Sequence, residues 1–523
     1  MRMSSLFLFS IAALVLGAAR VEAAPVAFVP LDDRPVTRQL PELLGRIAGR
    51  NVIMPPRPLL GRYLQPGNPE AIIAWLNSPT VQRAGSFAIS TDMLAYGGLV
   101  ASRIPGTSYQ DAYARLREIH HIRSEHPSAW IGAFGTVMRL APTGIPATGA
   151  GANFFAAYPV WKYLQSYANL HDPPLASERS EAARLGELIG QPTLQAYLDT
   201  RARNLSVDLT ILQMTRARDI DRVVLGQDDA GPVGLHVKDV TALLAAVNEY
   251  GITDRASIEP GADELGMAMV ANALARGAHW IPRVAVRYST PEGAAFNDPL
   301  EYAPISAAID SLITLCGGVH DDARADITLF VRVPKTTAAQ DDAMFSEIAS
   351  GVENARSVAV ADITFLGGSF APQAAFARRL MEAGLSGRID AYSSWNTNAN
   401  TVGTALAEAI AANAGRRTGT YDALAHAEFN FDRYVDDYAF HDFVRPDLNA
   451  VLDAAGVTDH TYLSPDQTMT ISLRNNAELW NRAEEILKAI YPNYHIAAIQ
   501  ITLPWDRTFE TEIEVGLAPT LRP

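Results

Sequence analysis

Short apolar runs recur along the chain from Pro25 to about Gly415, and the stretches between them repeat their apolar residues with a helical period. Val26–Val29, Ser86–Ile89, Trp130–Phe134, Arg222–Leu225, Ala256–Ile258, Arg283–Val286, Ile327–Val331, Val358–Val360 and Ile389–Tyr392 read as buried strands. Asp111–Arg123, Val237–Tyr250 and Leu265–Gly277 read as amphipathic helices between them. Strands alternating with helices predict βαβ units and a mostly parallel sheet, hence an α/β fold. So many units favour a (β/α)-barrel-like arrangement over a single open sheet.

Two segments break this rhythm. Residues 153–218 are helical in pattern (Ser177–Ile189, Gln191–Arg201) and open with Phe154, Phe155, Tyr158, Trp161, Tyr163 and Tyr167. A helical insertion after a strand is placed to wall a substrate site, or to form a subdomain with those aromatics in its own core. From Thr418 the composition shifts, giving a C-terminal α+β extension over 418–523. Asn475–Ile490 is a helix, and Ile496–Leu503 and Thr508–Val515 form a half-exposed antiparallel pair. In the last run Phe509, Thr511, Ile513 and Val515 share one face, with Glu510, Glu512 and Glu514 on the other. The α/β catalytic domain is expected to span 25–415, with the extension packed on it.

The start of the chain reads as a secretory signal over residues 1–23. Arg2 gives a basic start, Leu6 to Ala19 an apolar run, and Val21 and Ala23 the small residues before the cut. The run is too short to span a bilayer. A secreted or periplasmic, soluble protein is expected. One cysteine, Cys316, rules out an intrachain disulfide, so stability in an oxidising compartment rests on a core drawn from 48% hydrophobic residues. A net charge of −14 argues against nucleic acid and anionic membranes as partners, and a small molecule or oligosaccharide fits better.

Parallel strands present their C-terminal ends to a site, so the polar residues after each run are the candidates. They are Asp32, Asp33 and Arg34; Asp92 and Tyr96, with Arg103 beyond; Arg139; Asp228 and Asp229; Asp263 and Glu264; Arg287 and Tyr288; Asp362; and Trp395, Asn396, Asn398 and Asn400. Singly, an Asp or Asn before a helix is accounted for as a cap. An adjacent pair is not, because two carboxylates repel and lose hydration together. Asp32-Asp33 has Arg34 beside it, whereas Asp228-Asp229 has no cation nearby in sequence. Such a pair titrates apart, one ionised and one protonated, as glycoside hydrolysis requires. Neighbours on a strand point opposite ways, so both face one substrate only if the chain turns, and Gly226, Gly231 and Pro232 favour that turn. Trp395 offers a face for a sugar ring, or a core side chain beside a helix capped by Asn400. No nucleotide, serine-hydrolase or zinc motif occurs, and no cofactor or metal is expected, although His236, His320 and His441 lie near carboxylates.

Taken together, Pro30 to Pro35, Asp92 with Tyr96 to Gly98, Gly226 to Asp229, Pro260 to Glu264, Trp395 to Thr404 and Leu503 to Phe509 resemble a large bacterial family of domain-of-unknown-function proteins, along almost the whole mature chain. That likeness implies no activity. Asp228-Asp229 after one strand and Trp395-Asn396 after another are also similar to barrel β-N-acetylhexosaminidases. The likeness would make Asp228 the residue polarising the substrate's acetamido group and Asp229 the general acid/base, with Asn396 or Asn400 on sugar hydroxyls. The expectation is an exported glycoside hydrolase acting on a glycan or amino-sugar glycoside. A metal-dependent phosphate or amide hydrolase and a non-catalytic carbohydrate- or solute-binding protein are the alternatives.

Overall fold

The computed structural model describes residues 23–143, 159–298, 301–364 and 371–520, with the side chains of 371–373 left aside. The leader before Ala23, and Phe154, Phe155 and Tyr158, lie outside the described residues. Each apolar run read above falls on or overlaps a strand, although Ile389–Tyr392 does so only from Ala391 and Thr508–Val515 only from Glu512. The first sheet comprises β1 (Val26–Val29), β2 (Val52–Ile53), β3 (Ser86–Ser90), β4 (Trp130–Val137), β5 (Arg222–Gln227) and β6 (Ala256–Pro260), in the order β2-β1-β3-β4-β5-β6. The second comprises β7 (Arg283–Tyr288), β8 (Val319–His320), β9 (Ile327–Arg332), β10 (Ser357–Asp362) and β11 (Ala391–Ser393), in the order β11-β10-β9-β7-β8. All pairings in both sheets are parallel.

The strands thus form two ladders, and among the described residues no pairing joins one to the other. Two helices lie between them. Leu265–Gly277 packs against β1, β3 and β4, Asn398–Thr418 packs against β9, β10 and β11, and the two pack on each other. Both are buried around nearly their whole circumference, as a helix sandwiched between layers must be. Gly266 lets the first helix lie against Phe28 and Phe134 of the first sheet, and Gly403 on the second makes room for Glu264 at the start of the first, so one apolar core runs from the first sheet through both helices to the second.

A separate cluster covers the outer face of the first sheet. The insertion belongs partly to it. Its long helix, Gln191–Arg216, buries Val207, Ile211 and Leu212 there, while Leu194 and Tyr197 at its start close a smaller cluster with Leu140, Leu164 and Leu185. Tyr163 and Tyr167 pack on that smaller cluster, in the manner of subdomain aromatics.

The C-terminal part packs on the second sheet through Phe431, Tyr434, Phe440, Leu479 and Ile501. It ends in an antiparallel hairpin, β12 (Tyr494–Thr502) with β13 (Glu512–Pro519). The expected polar face of the last run is only partly exposed. Glu514 faces solvent, but Glu512 is buried and bound by Arg38 at 2.6 Å and Arg57 at 2.8 Å, because this end of β13 lies against the first α/β unit. Cys316 is buried at the end of the helix Ile305–Leu315. Among the described residues no helix is long and apolar enough to cross a membrane.

Candidate functional site

In the first sheet the chain steps from β1 to β2 on one side and to β3 on the other. Loops leaving the C-terminal ends of β1 and β3 therefore diverge, and a crevice opens between them. A cavity of about 560 Å³ lies there. The end of β1 gives it Arg34, the region after β3 gives Arg103, β4 gives Arg139, β5 gives Asp228 and Asp229, and β6 gives Asp263. Asn396 arrives from beyond β11, so residues of both sheets meet in it. Tyr63, Trp161, Trp505 and Phe509 supply aromatic wall, and Arg507 lies over the rings of Trp505 and Phe509 at 4.4 and 4.8 Å.

Both doublet aspartates line this cavity. Asp229 adopts a left-handed φ of 42°, which turns the chain and breaks the strand's alternation. This conformation costs a non-glycine residue about 1–2 kcal/mol, so the surrounding contacts must hold it. Each carboxylate has a guanidinium, contrary to the absence of a counter-charge in the local sequence. Arg103 forms a short ion pair with Asp228, from 125 residues away, and Arg139 binds Asp229 at 2.8 Å, from 90 residues away. The Asp229 side chain is 41% exposed and lines this cavity. Burial, and then the charge of Asp228, raise its pKa, while Arg139 and Arg103 pull it back. Burial and the repulsion of Arg139 lower Arg103 to about 10, so it stays charged at neutral pH.

Arg34 is the hub at the cavity edge. It binds Asp32 through Nε and one terminal nitrogen, and Asp263 in a fork at 3.0 and 2.6 Å. Asp32 also accepts from the Thr37 hydroxyl at 2.6 Å. The planar fork of arginine suits two carboxylates at once, where a lysine would satisfy one. Asp33 points away from Arg34 and accepts from Trp505 Nε1 at 2.8 Å and from Arg57 at 3.3 Å.

The remaining candidates divide. Asp92 is buried behind the cavity and is pushed up to about 7 by burial, against hydrogen bonds from Thr136. Tyr96 is buried beneath the Arg203 guanidinium. Glu264 is wholly buried and pushed up to about 8 by burial. Its Oε2 accepts from Asn400 at 2.6 Å, while Oε1 has no partner. Gly261 makes room for it: a Cβ there, at φ 91°, would sit 2.1 Å from Glu264 Oε1. Asn400 and Thr397 form a capping box on the helix Asn398–Thr418, and Asn398 is buried at its first turn. Trp395 is a core side chain, with Nε1 donating to Thr404 at 3.2 Å, and does not stack in the cavity. Arg287 pairs with Asp322 at the second sheet, and neither it nor Tyr288 lines the cavity. Asp362 is buried in the same sheet and pairs with Arg332 at 3.2 Å.

Two sets of residues carry no strand-end signal. Tyr63 and Trp505 come from outside the strand-end series, although Trp505 and Phe509 stood out as motif residues. Glu301 lies thirteen residues beyond β7, in the connection to the helix Ile305–Leu315, too far from the strand end to belong to that series. Beside the cavity a chamber of about 20 Å³ is lined by Asp228, Asp229, Asp263, Gln227, Asn396 and Glu301. Among the described residues no three His, Cys, Asp or Glu side chains converge to hold a metal.

Fold and site define a parallel α/β protein of two sheets, with a polar, aromatic-walled cavity where strand ends of the first meet the loop after β11. Residues 26–514 match the profile of a family of proteins of unknown function, DUF4127, and the chain belongs to that family. No curated protein and no solved structure matches it.

Proposed function

We propose that the protein is an exported glycoside hydrolase whose general acid is Asp229, with Asp228, paired with Arg103, positioning the substrate. The observation that carries this reading is the doublet itself: a left-handed turn brings two adjacent carboxylates into one cavity, and each keeps a separate arginine. Environment can give two such neighbouring groups different roles. The wall fits a sugar. Aromatic faces from Tyr63, Trp161 and Trp505 suit the C–H faces of pyranose rings, while Asn396 and the arginines suit hydroxyls. The cavity is also large enough for a sugar-sized ligand.

A panel of 4-nitrophenyl α- and β-glycosides, including N-acetylhexosaminides, tests the reading with the mature chain. Turnover of at least one is expected. No release of 4-nitrophenol or reducing sugar across a broad panel contradicts it.

A further inference from the structure

The side chamber shares Asp228, Asp229, Asp263 and Asn396 with the main cavity, so it opens directly beneath the doublet. Its volume of about 20 Å³ holds one water, which needs roughly 10–15 Å³. Two of its lining residues carry a buried polar atom without a partner. Gln227 Nε2 is a donor with no acceptor, and Glu301 Oε2 an acceptor with no donor. Both residues are only 3% exposed. A buried group left unsatisfied costs about 1–3 kcal/mol, and a single water that accepts from Gln227 and donates to Glu301 satisfies both.

The carboxylates around the chamber are not equivalent. Asp228, Asp229 and Asp263 are each held by an arginine. Glu301 makes no ion pair among the described residues. Its Oε1 is anchored by the backbone N–H of Ala399 at 2.8 Å, and the nearby Thr397 hydroxyl gives its one proton to Asn400 at 3.1 Å, which leaves Oε2 held in place without a donor.

Resting on the hydrolase reading, we propose that Glu301 is its general base, taking a proton from a water seated in this chamber, and that the enzyme acts by single displacement with inversion. As the water oxygen bonds to the anomeric carbon, its proton passes to Glu301 Oε2. The bond from that carbon to the leaving oxygen breaks, and the leaving oxygen takes the Asp229 proton. Exchange with solvent through the open cavity then returns a proton to Asp229 and removes one from Glu301. Burial and the charge of Asp298 push Glu301 up to about 7, against the Ala399 N–H. A base poised there suits proton abstraction at neutral pH.

The test follows the wild type by proton NMR during hydrolysis of the 4-nitrophenyl glycoside it turns over fastest. The first product anomer is expected to be of opposite configuration to the substrate. Retention, as a substrate-assisted or Asp228-nucleophile route gives, overturns the assignment while leaving the hydrolase reading standing. Absence of any wild-type turnover removes both. Glu301→Gln keeps an acceptor for Ala399 and is expected to lower kcat about 100-fold or more with KM within threefold. Unchanged kcat overturns the proposal. Because loss of rate alone is also what a misplaced helix end gives, Glu301→Ala is assayed with added azide, a nucleophile that needs no base. Rate recovery of about tenfold or more, with a glycosyl azide of inverted configuration, is expected, and no recovery in a folded variant counts against Glu301.

Discussion

Trp505 Nε1 donates a 2.8 Å hydrogen bond to Asp33 Oδ1, joining the C-terminal part of the chain to the loop that leaves its first strand. The same indole lies under the Arg34 guanidinium at 4.8 Å. The C-terminal part is therefore built into the cavity wall and is not an independent appendage. Trp505→Phe keeps the ring and removes the donor, leaving a buried carboxylate short of a partner at a cost of about 1–3 kcal/mol. Asp33 is already raised by burial and its indole bond opposes that rise, so the loss drives it higher. Thermal melts are expected to show a larger drop in Tm at pH 8, where Asp33 must be ionised, than at pH 5.

Arg34 balances two buried carboxylates, Asp32 and Asp263. Removing one side of a buried ion cluster is expected to cost about 3–5 kcal/mol, because the partners stay charged without compensation. Denaturant titration should rank wild type above Arg34→Lys, and Arg34→Lys above Arg34→Met. Equal midpoints for all three would show that Asp32 and Asp263 are not held this way.

Glu264 sets a pH dependence of stability. Its folded pKa, about 8, lies above that of an unfolded glutamate, near 4.5. Between those values the folded state holds a proton that the unfolded state has released, so stability falls as pH rises from about 4.5 to about 8 and is level beyond. Across that whole interval the loss amounts to about 5 kcal/mol at most. Glu264→Gln cannot titrate, and its melting temperature relative to wild type should rise steadily from pH 4.5 to 8.

Arg139 holds Asp229 down. If Asp229 must be protonated to act, the rate falls as pH rises through its pKa. Arg139→Gln removes the opposing charge, and the high-pH limb of kcat/KM is expected to move to higher pH. Movement of that limb to lower pH would assign it to another group.

Much of the fold was legible in the chain, because buried parallel strands are apolar runs and the helices between them are periodic. The two-residue strands β2 and β8 were too short to leave a pattern. The division into two sheets was hidden for a different reason: it depends on which strands pair, and on Leu265–Gly277 and Asn398–Thr418 meeting between the sheets. In the site, Asp32, Arg34, Arg139, Asp228, Asp229, Asp263 and Asn396 follow strand ends and were found there. Their pairing was not, since Arg103 and Arg139 reach the doublet from far along the chain. Trp395 shows the limit of residue type as a guide, since a tryptophan beside asparagines suits a sugar platform and a core equally. Glu301 lies far along the connection that follows β7, away from the strand end, and only its unpaired oxygen in a water-sized chamber marks it.

The measurement closest to the central claim compares wild type and Asp229→Asn on an alkyl glycoside of the sugar whose 4-nitrophenyl glycoside is turned over fastest, with melting curves to establish that both are folded. An alkoxide, unlike 4-nitrophenolate, needs a proton to leave. A loss in kcat of about 100-fold or more is expected, the size that a general acid contributes. Turnover that survives the substitution undiminished would contradict the assignment of Asp229 and of the cavity it faces.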